Sequence, residues 1–158
     1  MQIFLMRHGQ AGMAPPGSSD SERSLTPEGE QQVERVVSRG SALLGYPRIV
    51  ASPYRRAQQT ASIVQRTLGR NLELQTSSAL TPESSPRDAW AEVRCHRDVT
   101  GLLLVGHEPL FSALTAFMLG FPQLEIEFGT ATLVGLEVVQ IAAQPRGTLL
   151  WMLPARLI

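Results

Sequence analysis

A three-layer α/β/α sandwich around a mostly parallel central sheet is the fold class predicted by this 158-residue chain. Three observations carry the prediction. Short apolar runs alternate with longer stretches whose apolar residues recur at helical spacing. The run GLLLVG at residues 101–106 has no polar face, as a strand covered on both sides requires. The order is strand, helix, strand, helix, then strand, helix and a closing strand pair, which places helices on both faces of the sheet. The length fits one domain over residues 1–158.

Gln2 to Met6 make the first apolar run, a buried strand that stops at the polar Arg7-His8-Gly9. The APPGSSDSERS stretch that follows is rich in Pro, Gly and Ser, so an irregular loop is expected, long enough to serve function. Thr26 is the N-cap and Pro27 the first residue of a helix with an apolar face of Val33, Val36, Val37, Leu43 and Leu44. Arg48 to Ala51 is a second strand. Ser52-Pro53 repeats the cap and first-position signal ahead of a helix lined by Ala57, Ala61, Val64 and Leu68 and ended by Gly69. Leu72 to Leu74 is expected as a short strand, and a helical piece near Arg87 to Arg94 lies in an otherwise ambiguous segment reaching Asp98. After GLLLVG, Pro109 opens a helix over LFSALTAFML. Leu133–Ile141 and Thr148–Leu153 close the chain as two strands joined by a turn at Gln144-Pro145-Arg146-Gly147.

The 14 basic and 14 acidic side chains cancel, so neither nucleic acid nor a membrane is expected as a partner, and any phosphate preference must be local. Cys95 is the only cysteine, which excludes an intrachain disulfide and suits a reducing compartment. The N-terminal MQIFLMRHGQ has no basic segment before its short apolar run, and no stretch approaches the roughly 20 apolar residues of a spanning helix. A cytoplasmic protein is expected. The oligomeric state is not specified, and a monomer suffices.

In an open parallel sheet the ligand lies beyond the carboxyl ends of the strands. The first strand ends at Arg7-His8, the second runs into Ser52-Pro53 with Arg55 and Arg56 one turn on, and GLLLVG ends at His107. Two histidines and at least two arginines would converge there. Guanidinium groups cannot shed their charge and need an anion to face; a phosphate dianion matches their planar fork, with helix N-termini at Ser52 and Glu108 adding backbone donors. A neutral imidazole is a competent nucleophile, and a phosphohistidine intermediate splits hydrolysis into two easier steps. One histidine would attack while the other, with the arginines, neutralises the transition state. Gly9 would let the backbone approach the anion closely.

These residues also resemble a known family. The opening strand with Arg7-His8-Gly9 is similar to the signature of the histidine phosphatase superfamily, the phosphoglycerate mutase-like proteins. Ser52-Pro53-Tyr54-Arg55-Arg56-Ala57-Gln58-Gln59-Thr60 resembles its second motif, and Val105-Gly106-His107 its third. The resemblance implies a phosphoglycerate mutase-like fold, His8 as the nucleophile, His107 as the second pocket histidine, Arg7 and Arg56 on the phosphate, and no cofactor or metal. The small size and the stretch from Asp20 to Gly29 resemble the SixA-type phosphohistidine phosphatase branch, which implies a phosphohistidine-bearing protein as substrate. Larger members carry a glutamate acid between the second and third motifs. Glu83 lies in that region without matching the pattern clearly, and Asp20 is a second candidate acid.

Plainer roles compete for several of these residues. Of Arg55 and Arg56, one is a solvated helix charge, and the motif favours Arg56 for phosphate. Glu83 and Asp20 suit loop solvation or capping as well as acid catalysis. His96 beside Cys95 is no metal pair, because adjacent residues do not face one ligand. Trp90, Trp151 and the methionines are packing residues. Two rival functions remain: a phosphatase of small phosphorylated metabolites, for which Glu83 would have to protonate an ester leaving group, and a phosphoprotein-binding module without turnover.

Overall fold

The computed structural model describes residues 1–69 and 71–158. Its elements are β1 (Gln2–Arg7), α1 (Pro27–Leu44), β2 (Arg48–Ala51), α2 (Arg55–Leu68), β3 (Leu74–Thr76), α3 (Pro86–Cys95), β4 (Gly101–Gly106), α4 (Leu110–Leu119), β5 (Leu133–Gln140) and β6 (Arg146–Leu153). The six strands form one sheet in the order β3-β2-β4-β1-β5-β6. β1, β2, β3 and β4 run parallel, while β5 and β6 form an antiparallel hairpin on the β1 edge. The mostly parallel α/β sheet matches the expectation.

Alternation along the strands builds two cores. Phe4 and Met6 of β1 pack with Leu103 and Val105 against Val33, Val36 and Val37 of α1 and Ala57, Ala61 and Val64 of α2. Ile3 and Leu5 point the other way, with Leu102 and Leu104, onto Trp90 and Val93 of α3 and Leu110, Phe111 and Leu114 of α4. Burial on both faces is why these strands read as unbroken apolar runs.

The helix signals divide into two kinds. Thr26 Oγ1 accepts from Gly29 N at 3.0 Å, as an N-cap should, and Ser85 with Asp88 forms a capping box ahead of Pro86. Ser52-Pro53 is different: α2 begins at Arg55 with Tyr54 as N-cap, because Ser52 N extends the β2 ladder to Val105 O at 2.9 Å. Leu43 faces solvent at 49% exposure, since the buried stripe of α1 runs through Val33, Val36, Val37, Gly40 and Leu44. A Cβ at Gly40 would sit 3.0 Å from Leu133 Cδ2, so the helix lies close over the sheet at that turn.

Three boundaries move. The short strand is Leu74–Thr76 rather than Leu72–Leu74, because Leu74 pairs with Ile49 while Leu72 drops into the core. The ambiguous segment holds a single 3-10 turn at Ser78–Leu80 and then α3, one residue longer at each end than expected. β6 begins at Arg146, so Arg146 and Gly147 belong to the ladder and not to the turn.

Candidate active site

The parallel register brings three segments to one height. Arg7 pairs with Gly106 and Ala51 with Val105, so His8, Ser52 and His107 each lie one residue beyond a strand end. His8 N donates to Gly106 O at 3.0 Å. The imidazole centroids of His8 and His107 are 5.0 Å apart. Residues 99 positions apart in sequence thereby share one pocket at the carboxyl edge of the sheet.

His8 is held in one orientation. Its Nδ1 lies 2.7 Å from Gly9 O, which can only accept, so Nδ1 carries the proton. Nε2 then presents a lone pair, and it accepts from Arg56 Nε at 3.1 Å. Burial, with Arg56, Arg7 and Arg23 adding repulsion against the counter-effect of the Gly9 carbonyl, pushes the His8 pKa down to about 4. His107 is pushed down to about 3, by burial first and then by His8 and Arg56. Both rings are neutral at physiological pH, and a neutral ring is the nucleophilic form.

Arg56 is 4% exposed, and three of its nitrogens are engaged. Besides Nε on His8, Nη1 donates to Asp20 O at 2.7 Å and Nη2 to Asp20 Oδ2 at 2.9 Å. The anion facing this guanidinium is thus a carboxylate of the chain itself, which sequence reasoning did not foresee. Arg7 donates from Nη1 to Phe128 O at 2.5 Å. Arg7 Nε and His107 Nδ1 are buried without a hydrogen-bond partner among the described residues. Buried donors and acceptors are ordinarily paired, so these orphans mark where a polar ligand would satisfy the pocket.

Arg55 is exposed on the outer face of α2, beside Gln58 and Gln59. Gly9 is glycine for a reason other than the one expected: a Cβ there would lie 2.5 Å from Gly29 O and 2.9 Å from Val33 Cγ2, against α1. Its N–H is spent on Thr60 Oγ1 at 3.2 Å. The expected helix-end donors are also used internally. Ser52 opens no helix, and the Glu108 carboxylate accepts from Ser112 N at 3.0 Å and Ser112 Oγ at 2.5 Å over the first turn of α4.

Of the two candidate acids, Asp20 reaches the site directly. Its hydrogen bond from Arg23, with that from Arg56, holds its carboxyl below the ordinary range, so it is ionised here. Glu83 reaches the site through Tyr54, whose hydroxyl donates toward both its oxygens at 3.1 and 3.2 Å. The Tyr54 ring stands edge-on to His107 at 4.9 Å and lies 5.0 Å from Arg56 Cζ.

Three contributors, Tyr54, Thr60 and Phe128, were not singled out from sequence, and Ser52 was expected only as a helix-end donor. Ser52 Oγ lies 2.8 Å from His107 Nε2 and orients that ring. Thr60 Oγ1 donates to Arg56 O at 2.7 Å within α2 and accepts from Gly9 N, tying the segment after β1 to the helix. Tyr54 walls the pocket. The Phe128 carbonyl holds Arg7 across 121 residues of chain, a pairing with no local signal. For Thr60 the available signal was its spacing of four residues from Arg56 on one helix, and for Ser52 and Tyr54 only their place at the strand end just before it.

The chain is similar to known proteins both in sequence and in fold. The model of the histidine phosphatase superfamily, branch 1, matches residues 3–81, a span that includes Arg7, His8, Gly9 and Arg56. The chain is 32% identical over 124 residues to phosphohistidine phosphatase SixA of Escherichia coli (strain K12), covering 73% of each protein. It is 32% identical over 146 residues to a SixA homolog of Haemophilus influenzae, covering 86% of this chain and 87% of that one. Among solved structures, the protein histidine phosphatase SixA complexed with tungstate superposes with a TM-score of 0.87 at 26% identity, covering 99% of this chain and 98% of the other. With the family model spanning the strand ends that carry Arg7, His8 and Arg56, and with relatives 32% identical over most of its length, the chain belongs to the histidine phosphatase superfamily.

Proposed function

We propose that the protein is a metal-independent phosphohistidine phosphatase, formed by one domain over residues 1–158, with His8 Nε2 as the nucleophile. The observation that carries this reading is the fixed, neutral His8 ring, with Nδ1–H on Gly9 O and Nε2 facing Arg56. Arg7, Arg56 and His107 surround the phosphoryl oxygens, and His107 donates from the nitrogen it is free to protonate. Gly9 serves by fixing the His8 tautomer. The SixA proteins that resemble the chain over most of its length support phosphohistidine as the substrate. The lone cysteine suits the reducing cytoplasm, where we place the protein; separately, among the described residues no helix is long and apolar enough to cross a membrane.

The chemistry closes without an enzymatic acid. A substrate phosphohistidine protonated on its far ring nitrogen is attacked at phosphorus by His8 Nε2. The substrate P–N bond breaks, and its electron pair returns to a ring that leaves as neutral imidazole. Imidazole titrates near pH 6.5, so such protonation is available in neutral solution. Water then attacks phospho-His8, the P–Nε2 bond breaks, and dihydrogen phosphate departs. An alkoxide leaving group would need a donated proton. Asp20 is ionised and Glu83 is engaged by Tyr54, an arrangement that favours the imidazole leaving group over an ester.

The test is phosphate release, in chelator, from a phosphohistidine-bearing phosphotransfer domain, with p-nitrophenyl phosphate as the ester control. Release that disappears in His8→Ala is the expected result. Ester cleavage without protein dephosphorylation would replace this reading with a small-molecule phosphatase, and binding without turnover would replace it with a recognition module.

A further inference from the structure

Arg56 is almost completely buried, and a guanidinium cannot neutralise itself by losing a proton. An unpaired buried charge is prohibitive, so the resting protein must supply an anion whenever the pocket is unfilled. Asp20 does so with two acceptors, its carbonyl on Nη1 and its carboxylate on Nη2. Those are the fork nitrogens that a phosphoryl group would use. Substrate and Asp20 therefore compete for the same donors.

Asp20 is also placed to let go. It lies in the long loop between β1 and α1, on a single 3-10 turn, with its side chain 56% exposed. Its second oxygen, Oδ1, already accepts from Arg23 Nη1 at 3.1 Å. Arg23 is itself anchored, donating from Nε to Gly12 O at 2.7 Å and from Nη2 to Ala11 O at 3.4 Å. A carboxylate leaving Arg56 would keep a charged partner at the solvent side, so displacement exposes no bare charge.

We propose, resting on the phosphatase reading above, that Asp20 is a built-in anion that occupies the phosphoryl-binding fork of Arg56 in the resting enzyme and transfers to Arg23 when the phosphoryl group arrives. Asp20 is then a determinant of oxyanion affinity, and Arg23 its alternative partner. Each ligand oxygen that reaches Arg56 replaces an existing charge-assisted bond, so the pocket binds phosphate more weakly than its arginines alone would allow.

Calorimetric titration with inorganic phosphate and with tungstate tests this without requiring turnover. Asp20→Asn is expected to bind both oxyanions about tenfold more tightly than wild type, and Asp20→Ala, which removes the side-chain acceptor as well as the charge and leaves only the backbone carbonyl, at least as much. Arg23→Gln is expected to weaken binding about threefold alone, and to change it far less in the D20N background. Thermal melting establishes that each variant is folded. Equal or weaker oxyanion binding in both Asp20 variants would overturn the proposal, because Asp20 would then stay on Arg56 in the filled pocket and position it. An Arg23→Gln penalty that persists in the D20N background would overturn the transfer to Arg23. A wild-type protein that binds neither oxyanion would instead sink the phosphatase reading itself.

Discussion

Arg48 and Arg56 stand at opposite ends of β2, each beside a histidine, and their surroundings differ in kind. Arg48 donates to Glu73 at 3.0 Å and to both oxygens of Asp98 at 3.1 and 3.2 Å, and it lies 3.3 Å from His96 Nδ1. His96 has its own carboxylate, Glu92, at 2.8 Å. The Glu73 and Asp98 side chains are more than half exposed. At the other end, Arg56 faces one borrowed carboxylate, and among the described residues the two histidines have no carboxylate bonded to either ring and His107 Nδ1 and Arg7 Nε have no partner. A structural ion cluster completes its pairings with groups that water also screens, whereas a site built to receive an anion keeps buried positive charge and unsatisfied polar atoms in reserve.

The largest expected effect is at the proposed nucleophile, His8. His8→Ala is expected to lower phosphate release at least about a thousandfold, measured as kcat/KM on a phosphohistidine protein. Activity within tenfold of wild type would end the assignment. Next comes the pair of arginines. Arg56→Lys loses the fork and should cost on the order of a hundredfold in kcat/KM, while Arg48→Lys should leave turnover within about twofold and lower the melting temperature slightly.

Acid titration sharpens the comparison further. His8 and His107 have folded pKa values depressed to about 4 and about 3, against an unfolded value near 6.5. Below pH 6.5 the unfolded chain binds protons that the folded chain refuses, so stability is present at neutral pH and is lost as pH falls toward 4 and then 3. Between pH 7 and pH 5 each ring should withdraw about 2 kcal/mol from the unfolding free energy. Urea denaturation of His8→Asn should show close to half the wild-type loss over that interval. A loss equal to wild type would mean that His8 is charged in the folded protein.

Smaller effects probe the supports. Gly9→Ala places a methyl against Gly29 O and Val33 and should destabilise by about 1–3 kcal/mol in chemical denaturation. Glu83→Gln should change phosphohistidine turnover by no more than about threefold; a much larger loss, confined to the ester substrate, would identify Glu83 as a general acid.

The cap at Thr26, the glycine stop at Gly69, the apolar strands and the pocket residues at Arg7, His8, Arg56 and His107 were all legible because their causes are local. A cap bonds three residues ahead, a buried strand is apolar throughout, and the strand-end rule places whatever follows each run. Ser52 misled for the same reason. Its sequence context is that of an N-cap, but the ladder to β4 claims its backbone and His107 claims its hydroxyl. Gly9 was assigned to the anion, and only the approach of α1 reveals why no side chain fits.

Periodicity and parallel strand direction made the α/β class, the order of elements and the four arginine and histidine groups at the sheet edge readable from residue order alone. Only the folded chain shows that Asp20 lies on Arg56, that Tyr54 joins Glu83 to the pocket wall, and that Phe128 holds Arg7. Those contacts depend on how an irregular loop folds over a finished sheet. No periodicity records that, because the partners are far apart in sequence and meet only through the heights at which the strands end.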